Sequence, residues 1–173
     1  QSYIAFVQAL LSALLVGSLF SLWIRQIAAA RAVGDMAMVE VLSRQANLAG
    51  LVGGGISVVI LLTIGLRSDD IVSWVACAIW ALANAAALNY GARTIAAFGW
   101  AAVSRHNIIW QSVAPILAVL AVLAGWGVSG VFVAYAFAET CLALVIRHHA
   151  PRVERGPRSP IQPGIVRLGM AFM

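Results

Sequence analysis

One acidic side chain lies inside an apolar stretch of the sequence. Glu139 precedes Arg147 by eight residues, or about 12 Å along a helix. A carboxylate at the centre of a membrane span costs about 2.5 to 3.5 kcal/mol, so such a residue faces a bundle interior or a wet cavity. Two roles stay open: a site that couples transport to a cation or proton, and a structural residue that bonds to a neighbouring helix. Tyr135 lies one turn earlier on the same helical face and could share the site.

Two arginines stand at the ends of apolar stretches. Arg25 follows the first stretch and Arg93 the third. A guanidinium can grip two oxygens of a phosphate, so either residue could bind the pyrophosphate of a lipid carrier. Most arginines at helix ends reach toward lipid headgroups and set topology, and we favour that role for both.

Polar amides and small residues also interrupt the apolar stretches. Gln8, Asn84 and Gln111 are amides inside predicted spans, where an interhelical hydrogen bond contributes about 0.6 to 2 kcal/mol. We expect them to face protein; lining a path for a hydrophilic sugar is the less favoured alternative. Gly50 and Gly54 form a G-x-x-x-G pattern, which we interpret as a site of close helix packing rather than of binding.

The residue types that hold metals or perform catalysis do not occur in suitable patterns. Cys77 and Cys141 lie in separate apolar stretches without C-x-x-C spacing, and we interpret them as small core residues. The adjacent His148 and His149 are weak evidence for a metal, and we expect them to face lipid headgroups. Glycine-rich phosphate loops, nucleophile elbows and paired catalytic carboxylates are missing. The sequence predicts no metal, no cofactor and no enzyme activity.

The composition requires a membrane to surround most of these residues. Of 173 residues, 62% are hydrophobic and 10% are charged, whereas soluble domains average about 45–50% and about 25%. The mean hydropathy is +0.95. These values exclude a disordered chain, a soluble nucleic-acid-binding domain and a small disulfide-stapled secreted fold.

Apolar stretches without charge define the predicted helices, since a membrane span needs about 20 residues. The stretch 107–138 is too long for one span, and Gly125, Gly127 and Gly130 mark a turn that divides it. The stretches lack the alternation of barrel strands, so the predicted fold class is all-α, a polytopic transmembrane helical bundle. The predicted spans are 4–24, 46–66, 71–91, 108–123 and 128–146.

The sequence around these spans predicts three regions. Residues 1–146 form the bundle, 147–164 form a basic linker rich in proline and glycine, and 165–173 begin a further span. In the first connection we expect a helical extension, a turn at Gly34, and a helix leading into the second span. The chain begins at Gln1 and ends inside an apolar stretch, so we expect it to be part of a longer protein.

The cations predict the orientation of the bundle. All eleven are arginines, and ten fall in alternate connections. By the positive-inside rule the side with ten arginines is cytoplasmic, which places Gln1 on the periplasmic side. A basic balance in such a protein reports topology before it reports a polyanionic partner, and we expect no nucleic acid to bind.

Several segments together resemble the polysaccharide flippase family of the multidrug/oligosaccharidyl-lipid/polysaccharide export superfamily, and are similar to its O-antigen flippases. The segments that carry the resemblance are Arg25–Asp35, Ala87–Arg93, Asn107, Pro115, Gly125–Gly130, Arg147–Arg167 and Gly164–Met173. They resemble, in order, the loop after the family's second helix, the end of its fourth, the start and proline of its fifth, the tight turn before its sixth, the linker between its lobes, and the opening of its seventh.

The resemblance implies the N-terminal lobe of a two-lobed transporter of the bacterial inner membrane, from helix two to the start of helix seven. The implied substrate is an undecaprenyl-pyrophosphate-linked saccharide, moved by alternating access, with membrane lipids and polysaccharide assembly proteins as partners. Two alternatives remain: a drug or cation antiporter of the same superfamily, whose cavity we expect to hold more acids than Glu139, and a membrane anchoring or assembly subunit without a transport path.

Overall fold

The computed structural model describes residues 2–12 and 18–151, and these residues form six helical segments without a strand. The segments are α1 (Ser2–Ser12), α2 (Ser18–Ala32), α3 (Met36–Gly65), α4 (Ile71–Phe98), α5 (Ala101–Leu123) and α6 (Gly127–His149).

The helices α3 to α6 are long and apolar enough to cross a membrane. They contain between 23 and 30 residues, or about 35 to 45 Å at 1.5 Å per residue, against a hydrocarbon layer of about 30 Å. The predicted all-α fold is therefore confirmed, and four of its helices have the length and composition of membrane spans. The predicted first span, 4–24, covers α1 and part of α2, and it includes residues 13–17, which lie outside the described residues.

The connection between α2 and α3 is a short turn of residues 33–35. The chain turns at Gly34, whose φ is 75°, and Asp35 caps α3 by accepting a hydrogen bond from the backbone N–H of Met38 at 2.9 Å. The helix then continues from Met36 through the predicted start of the span at residue 46. The short connecting helix and the second span are thus a single helix, because no residue that breaks helices separates them.

The third connection is also shorter than predicted. We expected Arg93 and Arg105 to lie between spans, yet α4 continues to Phe98 and α5 begins at Ala101. Gly99, with a φ of 81°, makes the turn, since a left-handed conformation suits glycine. Both arginines therefore lie on helices.

The sixth helix extends beyond the predicted limit of residue 146. It ends at His149, two residues before Pro151, which cannot continue a helix without losing a backbone hydrogen bond. The rest of the predicted linker and the predicted start of a further span at 165–173 lie outside the described residues.

Helix α4 is the centre of the bundle and contacts each of the other five helical segments. Its antiparallel contact with α3 is set by glycines. A side chain at Gly50 would overlap the amide of Asn89, and a Cβ at Gly54 would lie 3.1 Å from the Cβ of Ala85. The absence of side chains at these glycines lets the two helices approach closely, as the G-x-x-x-G pattern predicts.

Helices α4 and α6 run parallel, and two contacts fix their register. The hydroxyl oxygens of Ser73 and Ser129 lie 3.2 Å apart. Two turns further along, the rings of Trp80 and Tyr135 stack with centroids 5.1 Å apart. A residue of α4 therefore lies level with the residue of α6 that is 55 or 56 positions later in the chain.

The described arginines gather at one end of the bundle. Hydrophobic clusters there join the end of α2 and the start of α3 to the end of α4, and join the end of α4 to the start of α5 and the end of α6. We call this the arginine-rich end. The residues that lie in that half are Arg25, Arg31, Arg44, Arg93, Arg105 and Arg147, whereas Arg67 follows α3 at the opposite end.

Candidate functional site

Four side chains lie within one turn of each other on the facing sides of α4 and α6, and we call them the mid-bundle cluster: Trp80, Asn84, Tyr135 and Glu139. The ring planes of Trp80 and Tyr135 differ by 29° in their stacked arrangement. Asn84 and Glu139 each follow their ring by four residues, so each lies one turn further on the same helical face. Because α4 and α6 are parallel, the register that pairs the rings also places the amide level with the carboxylate.

The mid-bundle cluster lies at mid-height of the membrane helices. Glu139 is twelve residues from the start of α6 and ten from its end, or about 18 and 15 Å. Asn84 is similarly central in α4, with thirteen residues before it and fourteen after it. Glu139 is therefore deeper than its 12 Å separation from Arg147 indicated, because α6 continues to His149.

The carboxylate of Glu139 has no hydrogen-bond or ion-pair partner among residues 2–12 and 18–151. The one ion pair that those residues form joins Glu40 to Arg44 at the arginine-rich end. Glu139 is half-buried, and a charged group at this depth needs a proton, a cation or water to offset the loss of hydration. With the amide oxygen of Asn84 and the two aromatic faces beside it, the cluster has the chemistry of a proton or cation site.

The other predicted amides lie in different surroundings. Tyr3 of α1 packs edge-on against Trp74, with ring centroids 6.4 Å apart, and Gln8 lies five residues further along α1. Gln8 is buried. Gln111 is exposed on α5 and points away from the described helices, so the expectation that all three amides face protein fails for Gln111 within this chain.

The two predicted phosphate ligands also differ from each other. Arg25 is exposed. Arg93 is only 8% exposed; its Nη2 donates to the backbone carbonyl of Pro151 at 2.8 Å, and its guanidinium lies 5.9 Å from the centre of the Tyr90 ring. Neither arginine belongs to the mid-bundle cluster, since both lie in the arginine-rich half.

Sequence reasoning missed three features of the bundle. Trp80 could have been found, because it precedes Asn84 by one turn on the same face. The side-chain amide of Gln45 is buried without a partner among the described residues, and only the packing of α2 and α3 reveals this. His106 stacks on His149, although the two residues are 43 positions apart in the chain.

Comparison with known proteins does not add a relationship to this geometry. No protein-family model, curated protein or solved structure matches the chain.

Proposed function

We propose that this chain is one lobe of a membrane transporter that flips lipid-linked oligosaccharide or polysaccharide precursors across the bacterial inner membrane by alternating access. The observation that carries the transport proposal is the half-buried carboxylate of Glu139 at mid-height of the bundle, level with Asn84 and next to the Trp80–Tyr135 pair. Ionisable residues at this depth usually belong to ion or substrate pathways.

Glu139 is the coupling residue in this proposal. Its carboxylate takes up a proton or a cation from one side of the membrane and releases it on the other as the lobe rocks. Asn84 supplies an amide oxygen or N–H to the same site, and the stacked rings exclude water on one side. The substrate class comes from the resemblance of the loops and turns to polysaccharide flippases, and the arginine-rich end faces the cytoplasm by the positive-inside rule.

A second candidate is a drug or cation antiporter. The aromatic pair beside a carboxylate favours it, because organic cations bind aromatic faces and carboxylates together. The mid-bundle cluster has a single acid, however, and proton exchange against a cationic drug is easier to arrange with two. We therefore rank it below the flippase.

The test measures transport by the full-length protein in proteoliposomes with Glu139→Gln. We expect flipping of a fluorescent undecaprenyl-pyrophosphate-linked saccharide to fall at least tenfold and to lose its dependence on a proton gradient or on an added cation gradient. Glu40→Gln is the matched control, since it removes the same charge outside the cluster, and it should transport like the wild type.

Three other outcomes distinguish the alternatives. Full activity of Glu139→Gln at every pH would remove the coupling role. Transport of an organic cation without movement of the lipid-linked saccharide would favour the antiporter. If the wild type moved neither substrate, the chain would be a membrane anchor or assembly subunit instead of a transporter.

A further inference from the structure

The three histidines of the chain form one cluster at the arginine-rich end. The rings of His106 and His149 stack with centroids 5.1 Å apart and planes 14° apart. His148 meets His149 edge-on at 5.4 Å. The cluster joins the start of α5 to the end of α6. It brings His106 of α5 together with His148 and His149, which we expected to face lipid headgroups.

Arg93 contacts the chain just after this cluster. The carbonyl that accepts its hydrogen bond belongs to Pro151, which follows His149 by two residues. In addition, Ile95 of α4 packs in one hydrophobic cluster with Val103 of α5 and Ile146 of α6. The guanidinium of α4 and the imidazoles of α5 and α6 are therefore level at this end of the bundle.

These groups carry many donors and little negative charge. A guanidinium has five N–H donors, and the only acceptor that the described residues give Arg93 is the Pro151 carbonyl. No carboxylate of the described residues pairs with it. Arg105 and Arg147 adjoin His106 and His148 in the chain, so the side chains that the described residues bring to this site are basic.

A metal ion does not fit this arrangement. Two imidazoles stacked with nearly parallel planes cannot both direct a ring nitrogen at one ion. In the described part of the chain, no group of three or more His, Cys, Asp or Glu side chains is arranged to hold a metal. An anion with several oxygens fits better. Arginine binds phosphate in a fork, and histidine N–H groups donate to the same oxygens.

We propose that Arg93, His106 and His149 form a binding site for a phosphate group at the arginine-rich end of the bundle. The guanidinium binds two phosphate oxygens, and the Pro151 carbonyl holds it in place. The imidazoles donate to the remaining oxygens. The phosphate comes from a lipid headgroup or from a free phosphate, and the site does not depend on transport activity.

The test measures binding to the purified full-length protein in detergent by calorimetry. The probes are dioctanoyl phosphatidic acid and inorganic pyrophosphate, each compared with sodium chloride at equal ionic strength. We expect Arg93→Gln to weaken binding at least tenfold and Arg93→Lys to weaken it less, since lysine keeps the charge and loses the fork. Arg67→Gln, which removes an arginine at the opposite end, should stay within twofold of the wild type.

A second variant keeps the test decisive if Arg93→Gln does not fold. The double variant His106→Gln, His149→Gln changes one half-buried and one exposed side chain, and we expect it to weaken binding about tenfold at unchanged helicity. Binding of either probe or of both supports the site. Binding of the lipid alone identifies a headgroup as the source of the phosphate, and binding of pyrophosphate alone identifies a free phosphate. The proposal fails if the wild type binds neither probe, or if Arg67→Gln weakens binding as much as the double variant does.

Discussion

Asp70 joins two helices at the end of the bundle opposite the arginine-rich end. It caps α4, because its Oδ1 accepts a hydrogen bond from the backbone N–H of Ser73 at 3.2 Å and its Oδ2 accepts one from the Ser73 hydroxyl at 2.6 Å. Oδ1 also accepts a hydrogen bond from the hydroxyl of Ser129 on α6 at 3.1 Å. One carboxylate thus fixes the start of α4 and the register of α4 against α6.

Asp70→Ala should lower the free energy of unfolding by about 2 kcal/mol. Loss of a helix cap costs about 1 kcal/mol, and loss of the bond from Ser129 costs about 0.5 to 1.5 kcal/mol. In a chain of this size a loss of 2 kcal/mol lowers the melting temperature by about 4 to 8 °C. Asp70→Asn keeps an acceptor for the cap, so we expect a smaller loss.

The effect of Asp70→Ala should become smaller in acid. The Ser73 hydroxyl that donates to the carboxylate holds the pKa of Asp70 below its ordinary value of 3.8, and the Ser73 N–H and the Ser129 hydroxyl act in the same direction. The charged carboxylate therefore contributes its full stability above the pKa of the unfolded chain. That contribution is lost as the pH falls through the lower pKa of the folded protein.

The assay is thermal unfolding in detergent, followed by tryptophan fluorescence at pH 7, 5 and 3. The difference between wild type and Asp70→Ala should be equal at pH 7 and 5 and smaller at pH 3. Asp69→Ala is the control, because Asp69 is the exposed neighbouring acid and its loss should change stability by less than about 0.5 kcal/mol. Equal losses in the two variants, or a difference that grows in acid, would refute the reasoning.

Two further predictions concern the packing and the orientation of the bundle. A Cβ at Gly65 would lie 2.5 Å from the Cβ of Trp74, whereas a Cβ at Gly55 would meet nothing within 4 Å. Thermal unfolding should therefore show that Gly65→Ala destabilises the protein by about 1 to 3 kcal/mol. The same measurement should show that Gly55→Ala stabilises it by up to about 1 kcal/mol. Val33 and Leu66 are strongly exposed at opposite ends, so in intact spheroplasts a membrane-impermeant maleimide should label Leu66→Cys and should reach Val33→Cys only after lysis. The reverse labelling would overturn the proposed orientation.

The sequence by itself determined the features that depend on local composition. Apolar stretches of membrane length have to be helical, since lipid offers no partner for backbone groups, and four of the predicted spans correspond to long apolar helices. The turn at Gly34 was also predictable, because the turn needs a left-handed residue at that position. The arginine positions also predicted that the two ends of the bundle differ in charge, because charged residues stay out of the hydrocarbon layer.

The limits of the helices were harder to predict. Hydropathy indicates which residues can lie in lipid, but it does not predict how far a helix continues beyond the membrane. As a result α3 begins at Met36, directly after its cap Asp35 and ten residues earlier than hydropathy indicated, and Arg93 lies on a helix.

Only the tertiary structure decided which side chains meet. The register of α4 against α6 depends on Ser73 with Ser129 and on Trp80 with Tyr135, contacts between residues that are more than 50 positions apart. That register placed Asn84 level with Glu139. The same kind of long-range packing left Gln111 exposed and stacked His106 on His149, because a helix of known sequence can still be rotated or shifted against its neighbours, and only close packing of the whole bundle selects one arrangement.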